Sequence, residues 1–170
     1  MAAVLALGVI AVGAATARLF IWPERGMPAQ VSAIVMLNGP GEDRLGTALD
    51  LARQHRAPFV VISRGSPYWG HGSVCAPPIP RVTVICFDPN PATTQGEAEF
   101  VGQLARKYHW QSVALVTITP QDSRGRLRVG RCFAGPVYVM TAPMLLSAWP
   151  YQIAYEWGAF VKALIFQRSC

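Results

Sequence analysis

Short apolar runs recur along the chain, each closed by a polar, turn-rich cluster and separated from the next by a stretch of helical periodicity. Residues 31–37 are a nearly continuous β-branched and apolar run, as expected of a strand covered on both faces, and Asn38-Gly39-Pro40-Gly41 ends it. A helix is predicted from about Asp43, because Leu45, Ala48, Leu49 and Ala52 fall at i, i+3, i+4 and i+7. Pro58 breaks that pattern. Residues 59–62 read as a second strand leading to Ser63-Arg64-Gly65, and 66–80 as a Pro/Gly loop. A third strand follows at 82–87, then a long polar stretch at 88–97. A helix from about Thr94 carries Ala98, Val101, Leu104, Ala105 and Tyr108 on one side. The series continues with a strand at 112–116, a polar cluster at 117–124, a helix at 122–132 and a strand at 136–140. An amphipathic helix at 151–166 closes it.

This alternation predicts an α/β fold, a doubly wound and mainly parallel sheet with flanking helices, in one domain over 31–170 after a linker at 23–30. In such a sheet all four polar clusters fall at the carboxyl edge, where ligands bind, and they are expected to converge on one pocket.

Residues 1–22 stand apart. Residues 2–17 carry no charge, and 19–22 form a second apolar run after Arg18. Crossing a bilayer takes roughly 20 residues, so the two runs suffice together if Arg18 snorkels to the interface. Ala15-Thr16-Ala17 has the spacing of a signal-peptidase site, but a basic n-region is missing and Leu19-Phe20-Ile21-Trp22 extends the apolar stretch beyond it. An uncleaved membrane anchor is therefore expected. Arg18 and Arg25 follow the anchor and nothing basic precedes it, which by the positive-inside rule would put the domain in the cytoplasm.

The cysteines point the other way. Cys75, Cys86, Cys132 and Cys170 are even in number, and Cys75 sits in a Pro-rich loop from which it could pair with Cys86 or Cys132, as suits an oxidising compartment. Cys86 and Cys132 read equally well as small buried hydrophobes. No Cys/His grouping has zinc spacing, so no metal is expected. Of the 170 residues 52% are hydrophobic and only 14% charged, and the net charge is +6. The basic residues form no run and no nucleic-acid motif, so nucleic acid is not an expected partner. Anionic lipid headgroups or a phosphorylated small molecule account for the charge as well.

Each cluster also has a plain structural reading. The first is a tight turn whose glycines and helix start could face an anion, with Arg44 as counter-charge. In the third, Thr93 or Thr94 can cap the helix, and Thr94 with Glu97 has capping-box spacing. In the fourth, Asp122 or Ser123 can serve as cap, while Arg124, Arg128 and Arg131 recur as a solvated basic face. Arg124 lies in the first helical turn, where a cation opposes the helix dipole unless an anionic ligand or buried carboxylate offsets it.

The order of these motifs gives a resemblance. An apolar anchor, Ala33-Ile34-Val35-Met36-Leu37-Asn38-Gly39 with Arg44-Leu45, Val60-Val61-Ile62-Ser63-Arg64-Gly65, Thr93-Thr94-Gln95-Gly96-Glu97-Ala98 and Leu115-Val116-Thr117 leading to Arg124 resemble the YdcF-like family of SanA- and ElyC-type envelope proteins. The resemblance spans about 31–165 and implies a Rossmann-like fold, a membrane anchor, an extracytoplasmic domain and a link to lipid-carrier metabolism. S-adenosylmethionine is a possible cofactor on the same ground. Carried over, the ligand-binding positions are Asn38, Gly39, Gly41 and Arg44, then Ser63 and Gly65, Thr94, Thr117, Gln121 and Arg124, with Glu97 as the best candidate base. Two departures stand out. Gln121 occupies a position where many relatives have His, and Gln cannot shuttle a proton near neutral pH. Gly96-Glu97 stands where many have Glu-Asn.

Two functional classes follow: an enzyme acting on a phosphorylated envelope intermediate, with Arg44 and Arg124 on phosphate, or a non-catalytic binding or assembly factor. In either, replacing Arg124 is expected to weaken ligand binding with little loss of fold stability, and replacing Arg131 to do much less.

Overall fold

The computed structural model describes residues 1–24, 26–39, 43–64, 75 and 79–170. The elements, in chain order, are α1 (Ala2–Thr16) running into a π-helical turn (Ala17–Ile21), β1 (Ala33–Met36), α2 (Arg44–Arg53), β2 (Phe59–Ser63), β3 (Thr83–Phe87), α3 (Thr94–Tyr108), β4 (Val113–Ile118), a 3₁₀ turn (Thr119–Gln121), α4 (Asp122–Cys132), β5 (Val137–Ala142), a second 3₁₀ turn (Leu146–Ala148) and α5 (Trp149–Ile165). The alternation expected from the sequence is present, with boundaries displaced by one or two residues.

Among the described residues five strands form one sheet in the order β3-β2-β1-β4-β5, and every pairing is parallel. This is a doubly wound, Rossmann-like α/β fold. The chain builds outward from β1 through β2 to β3, then returns to the other side of β1 for β4 and β5. The crevice between the carboxyl ends of β1 and β4 is thus the topological switch point. These two adjacent strands are buried along their whole length, which is why their sequences are continuous apolar runs instead of alternating ones.

Side chains on successive strand positions point to opposite faces. Val35, Leu37 and Leu115 pack on one face against Ala98, Val101 and Leu104 of α3 and Val129 of α4. Ile34, Met36 and Val116 pack on the other against Ala48, Leu49 and Ala52 of α2. The periodic faces read from α2 and α3 are the faces they bury.

Two local expectations are corrected. The cap of α3 is Thr93, whose hydroxyl accepts from the Gly96 amide, so Thr94 is the first helical residue and its capping box with Glu97 does not form. Both side chains of that pair turn to other work. At α4 neither Asp122 nor Ser123 caps. The N-cap is Gln121, after the 3₁₀ turn containing Pro120, and the Asp122 carboxylate takes Arg126 Nε at 2.6 Å while the Ser123 hydroxyl donates to the Leu19 carbonyl at 2.7 Å.

The presumed basic face of α4 is not solvated. It carries α5. Arg124 pairs with Glu156, Arg128 donates to the Gln167 carbonyl and side chain, and Arg131 donates to the carbonyls of Ala163 and Gln167. Arginines thereby reach a carbonyl in the last turn of α5, Ala163, and one just past its end, Gln167. Disulfides join Cys132 to Cys170 and Cys75 to Cys86, so of the two partners weighed for Cys75 the structure takes Cys86.

The N-terminal helix Ala2–Ile21 is long and apolar enough to cross a membrane. Its 20 residues extend about 30 Å at 1.5 Å each, the thickness of a hydrocarbon core. No α1 side chain is buried, yet Phe20 in the following turn is fully so, edge-on to Trp157 at 5.2 Å and Phe160 at 6.1 Å. Residues 26–30 are held to the domain as well, through a bridge from Gly26 to Val139 and through Arg56, which donates to the carbonyls of Pro28 and Ala29.

The Cys132–Cys170 bond closes a sequence separation of 38 residues around β5 and α5. Replacing both cysteines by serine is expected to lower unfolding free energy by about 2–4 kcal/mol, measured by urea denaturation of the full chain in detergent.

Candidate functional site

At the switch point lies a cavity of about 420 Å³. Its walls come from the end of β1 (Asn38, Gly39), the segment between β3 and α3 with the first turn of α3 (Pro89, Ala92, Thr93, Thr94, Glu97), the start of α4 (Gln121, Arg124) and α5 (Tyr151, Gln152, Tyr155, Glu156). Of the sequence-predicted residues, Asn38, Gly39, Thr94, Glu97, Gln121 and Arg124 meet there. Arg44, Ser63 and Thr117 lie behind this lining, at 1%, 0% and 0% exposure. Gly41 and Gly65 fall outside the described residues. Three of the four clusters thus converge in the described structure, and the second approaches through Ser63.

Behind the wall is a polar network. Arg44 Nη1 donates to the Leu37 carbonyl at 3.0 Å and to Gln121 Oε1 at 2.9 Å, and the Thr117 hydroxyl donates to the same Gln121 oxygen at 2.7 Å. Gln121 Nε2 reaches the Asn38 carbonyl at 3.5 Å. An amide suits this position because one end accepts from two donors while the other donates. Gly39 completes the packing. Its φ is +140°, and a side chain there would press on the Arg44 guanidinium at 3.2 Å and on Gln121 at 3.4 Å. Both the backbone conformation and the close approach require glycine.

Glu97 stands in the first turn of α3 with 1% exposure, and its Oε1 accepts the Asn38 amide at 2.6 Å. Burial raises its pKa above the ordinary value of 4.5, against the opposing pull of the Asn38 amide, Ser63, Arg44 and Arg124. The Ser63 hydroxyl is near enough to steady the charged carboxylate but makes no hydrogen bond of normal geometry. Gly96 is required by packing: a side chain there would collide with the Pro91 carbonyl, so glycine lets the Asn90-Pro91 backbone lie on the start of α3. Burial lowers the Arg44 pKa to about 10, with Glu97 and Glu156 opposing the shift and Arg124 adding to it, so the group stays cationic at neutral pH.

Arg124 was expected to be offset by a ligand or by a carboxylate; the structure supplies the carboxylate. Its Nε and Nη2 hold Glu156 at 2.6 and 2.8 Å in a bidentate pair, Nη1 donates to the Thr94 hydroxyl at 2.6 Å, and Gln152 Nε2 donates to Glu156 Oε1 at 3.2 Å. Burial opposes the charge on Arg124, but the Glu156 hydrogen bonds and charge, helped by Tyr155 and Glu97, more than offset it and lift its pKa. Arg124 also lies over the Tyr155 ring at 6.0 Å. Sequence reasoning missed Glu156 together with Gln152, Tyr151 and Tyr155. The signal was there: Glu156 is the single acidic residue in the mainly apolar stretch 149–166. At 0% exposure it needs a cation, and Arg124 was the misplaced cation without an anion.

One buried polar atom in the wall is unused. Asn38 Oδ1 has no hydrogen-bond partner among the described residues. Such an acceptor marks a place where a donor group of a ligand fits.

Comparison with protein-family models, with curated proteins and with solved structures finds no match to this chain.

Two outcomes are expected. Arg124→Ala leaves the Glu156 charge buried without its partner and is expected to cost about 3–5 kcal/mol of stability by urea unfolding, which replaces the expectation of a small effect. Glu97 carries a pH signature. Since its folded pKa is raised, the folded state holds a proton the unfolded chain has released, a contribution complete below about pH 4 and lost as the pH rises through the folded value. Glu97→Gln, always uncharged, is expected to unfold at higher urea than the parent at about pH 7 and to lose that advantage on acidification to about pH 4.

Proposed function

We propose that the chain is a membrane-anchored envelope protein of the YdcF-like type that binds a small anionic ligand, a phosphorylated molecule or lipid-carrier intermediate, in the switch-point cavity. The observation that carries this reading is the meeting of the starts of two helices in one wall; beside them Asn38 Oδ1, without a hydrogen-bond partner among the described residues, is an acceptor for a donor group of the ligand such as a hydroxyl. The first turn of α3 and the N-cap of α4 both line the cavity, and each brings the positive end of a helix dipole. The side chains leave room for negative charge. Arg44 and Arg124 balance Glu97 and Glu156 when all are ionised, and the raised Glu97 pKa tilts that balance positive.

The two disulfides pair all four cysteines, and this supports an extracytoplasmic domain, since such bonds persist in oxidising compartments. The helix Ala2–Ile21 supports the anchor.

Proton transfer at Glu97 is a second reading, favoured by its raised pKa in a cavity wall. Gln121 favours binding without turnover, because it is locked between Arg44 and Thr117 as a hydrogen-bond hub and carries no titratable proton.

Thermal unfolding of the detergent-solubilised full chain, titrated with pyrophosphate, an isoprenyl phosphate, nucleotides and S-adenosylmethionine, tests the ligand class. A phosphorylated compound is expected to stabilise the fold by about 2.7 kcal/mol at 100 times its Kd. Asn38→Ala is expected to weaken that binding at least fivefold while leaving the ligand-free midpoint in place. Stabilisation by S-adenosylmethionine alone, or by none of the series, would overturn the anionic-ligand reading.

A further inference from the structure

Helix α5 has three distinct sides. Gln152, Glu156 and Ala163 are buried inward, while Trp157 and Phe160 are partly covered by the end of the N-terminal helix. Trp157 Nε1 also donates to the Thr16 hydroxyl at 3.0 Å. The remaining side is a stripe at helical spacing, Tyr151, Tyr155, Gly158, Val161 and Ile165, and it is exposed. Lys162 is its single charge. Apolar exposure continues past both ends of the helix, at Leu146 (84%) and Phe166 (79%). A solvated helix would place polar groups on such a side, and a contiguous apolar patch of this kind marks an interaction surface.

We infer that α5 and the turn before it lie flat in the headgroup region of the bilayer, giving the domain a second membrane contact beside its anchor. This inference rests on the reading of Ala2–Ile21 as a membrane-spanning helix. Given that span, the occupant of the stripe follows from continuity. The anchor has no linker before it meets the domain: Thr16 and Phe20, in its last turns, touch the middle of α5 directly. At 1.5 Å per residue, Leu146 and Phe166 lie within about 17 Å of that contact along the helix axis, one on each side. A helix held at its centre against the exit point of a transmembrane segment, apolar at both ends and along one stripe, has the pattern of an interfacial helix. Its tyrosines suit headgroup depth, and Lys162 and Arg168 suit anionic headgroups. Tyr151 and Tyr155 belong both to the stripe and to the cavity wall, so the cavity opens at the membrane surface.

The test uses the full chain in vesicles of phosphatidylglycerol and phosphatidylethanolamine, with a fluorescent thiol label placed in turn by Leu146→Cys, Phe166→Cys, Gly8→Cys in the anchor and Asp50→Cys on the exposed side of α2. The native cysteines remain in their disulfides. Labels at 146 and 166 are expected to be quenched at least threefold more by lipids spin-labelled near the headgroup than the label at 50, and to be shielded from aqueous iodide. The label at 8 is expected to report deep lipid. If 146 and 166 are as open to iodide as 50 while 8 is in lipid, the interfacial contact is overturned and the anchor stands. If 8 is in water, both fall. Shielding at 146 and 166 that disappears as the protein is diluted in lipid would mean a second copy covers the stripe, and would also overturn the inference.

Discussion

The buried pair between Arg124 and Glu156 is the constraint around which the functional half of the molecule is arranged. Such a pair adds little net stability over an apolar alternative, because desolvating two charges offsets most of their attraction. Its value here is positional. The bidentate geometry admits one placement of α5 against α4, and Arg128 and Arg131 extend the attachment along the helix to its end. With α5 so placed, the carboxyl edge of a five-stranded sheet becomes a walled, open-mouthed cavity, and Tyr151, Gln152 and Tyr155 form its outer wall.

The cavity wall contains opposed charges in unequal circumstances. Glu156 is held by Arg124 at two atoms; Glu97 has one backbone amide and more distant cations, and burial dominates its titration. Arg44 sits deeper still, tied to the β1 carbonyl edge and to Gln121. The same four side chains thus divide into a fixed pair that builds the wall, a cationic Arg44 held behind it, and Glu97, whose protonation can respond to what enters. Their separation follows from topology: Glu97 and Arg44 flank the β1 end of the crevice, whereas Arg124 and Glu156 flank the β4 side.

Much of the fold was legible because β1 and β4 are buried on both faces and α2 and α3 each bury one periodic face; hydrophobic patterning encodes these facts directly. The polar clusters were legible as a set, because glycine and capping residues after a strand mark a carboxyl edge. What could not be read was which of two chemically equivalent neighbours takes which partner. Thr93 and Thr94 both suit a cap, and the choice is made by Arg124, 30 residues away, which takes the Thr94 hydroxyl. Arg124, Arg128 and Arg131 have the spacing of a solvated face, and only the docking of a helix later in the chain turns them inward. Glu156 was hidden for the same reason: its local surroundings read as packing, and its meaning lies in a residue 32 positions earlier.

The hydrogen bond from Trp157 to Thr16 joins residues 141 positions apart, almost the two ends of the chain. The sheet needs neither of them, since β1 to β5 and α2 to α4 hold both apolar faces between them. Synthesis therefore has a natural order. The N-terminal helix is made before the sheet, and a largely complete sheet can assemble while α5 is still on the ribosome; the cavity acquires its last wall, and the N-terminal helix its contact with the domain, when α5 arrives. Because α5 makes both contacts, a nascent chain that stops short of it would carry the sheet without its cavity wall, so the cavity is complete only once translation has run past α5.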